Sequence, residues 1–89
     1  MFEYDPQKSE ANRSKHGIDF QESQALWNDT DRIEFTARFR DEERYGLIAS
    51  LRGKLWTAIF TIRENRIRMI SVRRSRENEQ RLYDDGTGI

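Results

Sequence analysis

The 89-residue sequence contains no cysteine, one proline and one histidine. Without cysteine there is neither a disulfide framework nor a thiolate zinc site, a composition that suits a reducing cytoplasm. With His16 as the single imidazole, a two-histidine mechanism of acid–base catalysis is excluded. Long apolar runs are missing too. None approaches the roughly 20 residues that span a bilayer, so no membrane association is expected. The opening Met-Phe-Glu-Tyr-Asp lacks the basic and apolar regions of a signal peptide, and a soluble, cytoplasmic protein is the expectation. Repeats, low-complexity segments and linkers are absent, and residues 1–89 are read as one domain. The carboxylates show no recognisable metal-ligand spacing, and no cofactor is implied.

The charge is balanced in sum and uneven in place. Sixteen bases meet sixteen acids, yet residues 1–35 hold eight acids and four bases, whereas 63–81 hold seven arginines and three glutamates. An arginine-rich segment in a neutral chain can offer a local anion site. It can equally be a solvated face.

The clearest pattern runs from Arg44 to Arg74. Three stretches, Arg44 to Leu51, Leu55 to Ile62 and Ile67 to Arg73, have strand length and β-branched or aromatic content. Arg52-Gly53-Lys54 and Arg63-Glu64-Asn65-Arg66 separate them, with Gly53 and Asn65 suited to positive φ. Before them, Ile33, Phe35, Ala37 and Phe39 alternate with polar residues, which reads as a strand solvated on one side. Strict alternation in the last strand sets Ile67 and Met69 opposite Ile70 and Val72. It also puts Arg68 with Arg74 on one side and Arg73 on the other.

Helices flank this meander. Phe2 to Tyr4 reads as a short strand or an apolar strap. Asp5-Pro6 starts a helix that runs to about His16 and stops at Gly17. Ala11 is its only aliphatic residue after Pro6, so polar contacts must position it. Asp19 and Glu22 resemble a capping box for a second helix, which Asn28-Asp29-Thr30-Asp31 ends. Ser75 can cap a last helix closing near Gly86. The fold class expected is α+β: two N-terminal helices, a four-stranded antiparallel meander and a C-terminal helix. Such a sheet is apolar on both faces and calls for cover on both, from the last helix or from a partner protein.

Phe2-Glu3-Tyr4-Asp5, Lys8, Asn12 and Lys15-His16-Gly17-Ile18-Asp19-Phe20 together resemble the opening of BrnT-like toxins of type II toxin–antitoxin systems. The segment Arg66 to Arg74, RIRMISVRR, with Glu79 and Tyr83, is similar to that family's closing motif, and Trp27-Asn28-Asp29 and Glu43-Arg44 fall in matching places. Tyr4 departs from the family's usual tryptophan, Val72 and Ser75 replace alanines, and Gln80 stands where arginine is common. The resemblance implies a RelE-like fold and cleavage of RNA that halts translation. It further implies a BrnA-like antitoxin with a ribbon-helix-helix domain, through which alone the complex touches DNA and represses its operon. A non-catalytic co-repressor module is the alternative, since both readings need the same partner.

RNA cleavage by 2′-hydroxyl attack needs a base, an acid for the leaving oxygen and positive charge on the phosphorane. Histidine titrates near neutrality without help, so His16 is one candidate, with a helix-terminal cation as its structural role. The resemblance implies instead arginine, lysine and tyrosine chemistry, and Arg68, Arg73, Arg74 and Tyr83 are the residues it points to. Arg73 and Arg74 end the last strand, where guanidinium forks suit phosphate. Tyr83 can transfer a proton, stack on a base or anchor its helix. Lys8 and Lys15, seven apart on one helix face, and Arg44, beside Glu42 and Glu43, are candidate RNA contacts. Lys54, in the first hairpin turn, reads as a bystander.

Overall fold

A computed structural model describes residues 1–86. Strand β1 (Phe2–Glu3) leads into helix α1 (Pro6–His16) and a 3₁₀ helix (Glu22–Asn28). Strands β2 (Ile33–Phe39), β3 (Glu42–Leu51), β4 (Lys54–Arg63) and β5 (Arg66–Arg74) follow, then helix α2 (Glu77–Asp85). The strands form one sheet in the order β1-β5-β4-β3-β2, with β1 parallel to β5 and every other pair antiparallel.

The expected fold is therefore corrected. The sheet is mixed and has five strands. Two residues are too few for periodicity to register, but Phe2 and Glu3 pair with Ile67 and Arg68, and the Ile67 N–H donates to the Met1 carbonyl at 2.7 Å. The second N-terminal helix is also corrected. Asp19 and Glu22 do exchange bonds, Glu22 N–H to Asp19 Oδ1 at 2.7 Å and Asp19 N–H to Glu22 Oε1 at 3.1 Å. What they open is a 3₁₀ helix, in which side chains three apart eclipse. Ser23 and Leu26, both fully buried, use that spacing.

The hairpins are tighter than read, with two central residues each. Arg52 and Gly53 have φ of 55° and 76°, and Glu64 and Asn65 have 52° and 66°. Positive φ at both centres is the type I′ signature, whose twist matches that of the strands.

One extra residue decides which way β5 faces. Met69 pairs with Phe60 and Val72 with Ala58, so three residues on β4 are matched by four on β5. The irregularity falls between Ile59 and Phe60, leaving Ile70 as the unpaired residue of a β-bulge. Met69 and Val72 thus share the buried face, contrary to strict alternation. The arginines switch accordingly. Arg68 (opposite Thr61) and Arg73 (opposite Thr57) share one face, and Arg74 (opposite Trp56) lies on the other.

The core sits on the Trp56 face, where Ile18, Phe20 and Leu26 cover Leu47, Ala58, Phe60, Met69 and Val72. Trp27 wedges between Phe2 and Phe60 at ring distances of 5.0 and 5.2 Å. Helix α1 contributes no aliphatic residue, and its buried positions are Ser9 and Asn12. The Asn12 amide donates to the Val72 carbonyl at 2.9 Å and accepts from the Val72 N–H at 3.1 Å. It also donates to the Ile18 carbonyl at 2.7 Å, while Ser9 Oγ accepts from the Phe20 N–H at 2.9 Å. Polar contacts do position this helix.

Asn12→Ala leaves the Val72 N–H and carbonyl and the Ile18 carbonyl without these partners in a buried setting. Stranded groups of this kind cost about 1–3 kcal/mol each before relaxation, so a loss of about 2–4 kcal/mol is expected. Urea unfolding checks it, against a Lys15→Ala control expected to stay within about 0.5 kcal/mol.

Candidate functional site

His16 closes α1, followed by Gly17 at φ 82°, the left-handed turn that caps the helix. The turn sets the imidazole between two clefts. One, of about 300 Å³, is lined by His16, Gly17, Arg52, Lys54, Trp56 and Arg74. The other, of about 230 Å³, is lined by Lys8, Asn12, Lys15, His16 and the bulge residues Ile70 and Ser71. Among the described residues no carboxylate lines either cleft. Five basic side chains, Lys8, Lys15, Arg52, Lys54 and Arg74, therefore flank His16.

Two residues give the larger cleft its shape. Trp56 is buried, and its indole N–H donates to the Leu51 carbonyl at 3.3 Å. The Arg74 guanidinium lies over that ring, 5.6 Å from its centroid. Among the described residues Arg74 makes no ion pair, and of the cleft's cations only Arg52 does, to Glu22 at 3.2 Å. A guanidinium laid on an aromatic ring keeps its donor edge free for an oxyanion.

The other expected residues lie elsewhere. On the opposite face Arg73 binds Glu79 in a fork, at 2.8 and 2.9 Å. Glu79 Oε1 also accepts from Thr57 Oγ1 at 3.0 Å and from the Arg76 N–H at 2.7 Å, and Thr57 shares a hydrogen bond with Ser75 at 2.8 Å. Arg76, not Ser75, occupies the cap position of α2, because Ser75 is drawn into this network. Burial pushes the Glu79 carboxyl up, but the Arg73 fork and the Arg76 and Thr57 bonds outweigh it and hold it below the ordinary value. Arg73 is thus the anchor of α2.

Tyr83 is the second anchor. Its hydroxyl donates to Asp29 Oδ2 at 2.7 Å, and that bond pushes the phenol up to about 12. Asp29, beyond the 3₁₀ helix, also accepts from the Ser50 N–H at 2.8 Å and the Asp31 N–H at 2.9 Å. Burial raises the Asp29 carboxyl, and these bonds more than compensate, leaving it lowered. A phenol so held is a poor proton donor at neutral pH.

Arg68 and Arg44 lie toward the hairpin end of the sheet, away from His16. Arg68 pairs with Glu3 of β1 at 2.9 Å. Arg44 pairs with Glu42 at 3.4 Å and lies 4.5 Å over the Phe39 ring, with its Nε buried and unpartnered. Of the sequence candidates, the structure brings together Lys8, Lys15, His16 and Arg74, and separates Arg44, Arg68, Arg73 and Tyr83 from them. Sequence reasoning missed Arg52, Trp56 and Asn12 and set Lys54 aside. The one asparagine on a helix whose only aliphatic residue after Pro6 is Ala11 was the available signal for Asn12. Nothing local marks the others.

Among the described residues no three histidine, aspartate or glutamate side chains gather where a metal ion could be held. Nor is any described helix long and apolar enough to cross a membrane. No curated protein matches the sequence. A family model described as ribonuclease toxin, BrnT, of type II toxin–antitoxin system matches residues 4–79.

The Glu79 cluster has a pH signature. A carboxyl lowered in the folded state contributes stability that is full above its unfolded value, ordinarily 4.5, and is lost as pH falls through the folded value. Glu79→Gln is expected to flatten the acid limb of the stability curve below about pH 4.5. Arg73→Ala, which strands the buried carboxylate, is expected to cost about 2–4 kcal/mol at pH 7. Urea midpoints measured from pH 3 to pH 7 check both.

Proposed function

The chain belongs to the BrnT family of ribonuclease toxins of type II toxin–antitoxin systems, and from that premise we propose that it cleaves RNA in the cationic clefts around His16. The single observation that carries this reading is the position of His16 between two clefts that no described carboxylate lines, facing Arg74, which has no ion pair among the described residues. A phosphodiester laid across them meets Lys8 and Lys15 on one side and Arg52, Lys54 and Arg74 on the other.

In the proposed reaction His16 takes the proton of the 2′-hydroxyl. The 2′-oxygen attacks phosphorus, the bond to the 5′-oxygen breaks, and water protonates the departing oxygen. A 2′,3′-cyclic phosphate and a 5′-hydroxyl end result. Arg74 neutralises the charge gained by the non-bridging oxygens, and the lysines hold the flanking phosphates. The reaction proposed is independent of metal, runs in the cytoplasm and halts translation. Arg73, Arg68 and Tyr83 act by holding α2 and β1 in place, and Arg44 by ordering its hairpin.

The antitoxin implied by the family is proposed to be BrnA-like, with a ribbon-helix-helix domain that takes the pair to its own operator. The sheet face beyond α2 supports a protein partner, for Phe35, Ala37 and Ile59 there are only half-buried.

His16→Ala is expected to slow cleavage about 10²–10⁴-fold and Arg74→Ala about 10²–10³-fold, with unchanged urea midpoints. Arg63→Ala, on the far hairpin, is the matched surface control. Growth arrest on expression without antitoxin and cleavage of a defined transcript in the presence of a chelator measure the effect. Full activity in both variants refutes the assignment.

A further inference from the structure

The two outer edges of the sheet are treated differently. On β5 the outward backbone groups are met by β1 and then by the Asn12 amide. On β2 no described element pairs with the outer edge, because the sheet order ends there. Yet β2 is seven residues long, has no proline, keeps unbroken register with β3 and is uncharged through Phe35-Thr36-Ala37. Long, flat, open edges recruit another strand. Two shallow clefts of about 280 and 310 Å³ run along this one and meet at Thr36.

The strand is also complementary to itself. Thr36 is the midpoint of Ile33–Phe39, so antiparallel pairing centred there matches every residue of two copies. That register sets Glu34 of each copy against Arg38 of the other, on the face that Thr36 shares. On the opposite face Phe35 meets Ala37, and Ile33 meets Phe39. The charged side chains lie at the surface. Glu34 is 57% exposed and engaged only in an exposed ion pair with Arg32 of its own chain at 3.2 Å, for which Arg38 of a second copy can compete. Arg38 is exposed with no ion pair among the described residues, and Phe39 is 48% exposed. Arg32 and Arg40, the like charges next in this register, fall outside the strand. A two-fold axis perpendicular to the sheet leaves α1 of both copies on the same side, clear of the junction.

We propose that the protein self-associates through β2, joining two sheets into one with five strands from each copy. Opposite charges across strands stabilise the pairing, and two-fold symmetry makes each such pair occur twice. An edge junction is at the small end of protein interfaces, so the dimer is concentration-dependent.

The test is sedimentation of the antitoxin-free protein at about 100 µM, with far-ultraviolet circular dichroism as a check on folding. The parent is expected at twice the 10.7 kDa of one chain. Glu34→Arg and Arg38→Glu place like charges opposite each other at both pairs, and each is expected to weaken association at least about tenfold. The double variant Glu34→Arg/Arg38→Glu restores opposite charges and is expected to dimerise again. Three results overturn the proposal: a monomeric parent, a dimer that neither single change weakens, or a double variant as monomeric as the singles. A monomeric parent whose β2 amides gain protection from hydrogen exchange only on adding antitoxin assigns the edge to the antitoxin instead.

Discussion

A side-chain amide standing in for a strand is the interaction on which the rest of this structure depends. Beyond Arg68, no described strand neighbours β5 on its outer side, and Val72 there presents both a donor and an acceptor. Asn12 satisfies both as a paired peptide would, and its third bond reaches the Ile18 carbonyl. Through it, a helix with no apolar stripe acquires a fixed place on the sheet. That place determines where His16 ends and how Lys8 and Lys15 are presented. A buried aliphatic contact would be as stabilising, but it would not specify the helix's register along β5 so narrowly.

The opposite face is organised by a different chemistry. There a nine-residue helix with few apolar side chains is held by Arg73–Glu79 and Tyr83–Asp29. The two faces divide the arginines between them. Arg73, in its fork with Glu79, holds α2, while Arg74, one residue on and turned the other way, lies on Trp56 with no ion pair among the described residues. Neighbours in sequence therefore have separate tasks, and only the pleat distinguishes them.

What could be read in advance follows from the range of the interactions involved. The type I′ turns are carried by local residues, Gly53 and Asn65, and the period-two pattern of β2 by its own side chains. The polarity of α1 was itself a sign of how it docks. The bulge was hidden because Ile67, Met69, Ile70 and Val72 fit two phases of alternation, and β4 selects between them. The sequence reads Phe2 to Tyr4 as a short strand or an apolar strap but not as part of the sheet, because its place there comes from pairing with Ile67 and Arg68, not from its two residues. The roles of Arg73 and Tyr83 hinge on partners six and 54 positions away. A motif comparison brings such residues together by their recurrence and says nothing of the direction in which each points.

The link between Asn12 and Val72 spans 60 residues of chain. The meander joins neighbours in sequence and can form as each hairpin leaves the ribosome, whereas α1 has no docking site until β5 has been synthesised. On a growing chain, His16 is therefore separated from Arg74 until β5 has been made. The order in which the molecule is built keeps the cleft unassembled until the last strand of the sheet has emerged, a form of restraint that requires no second gene product.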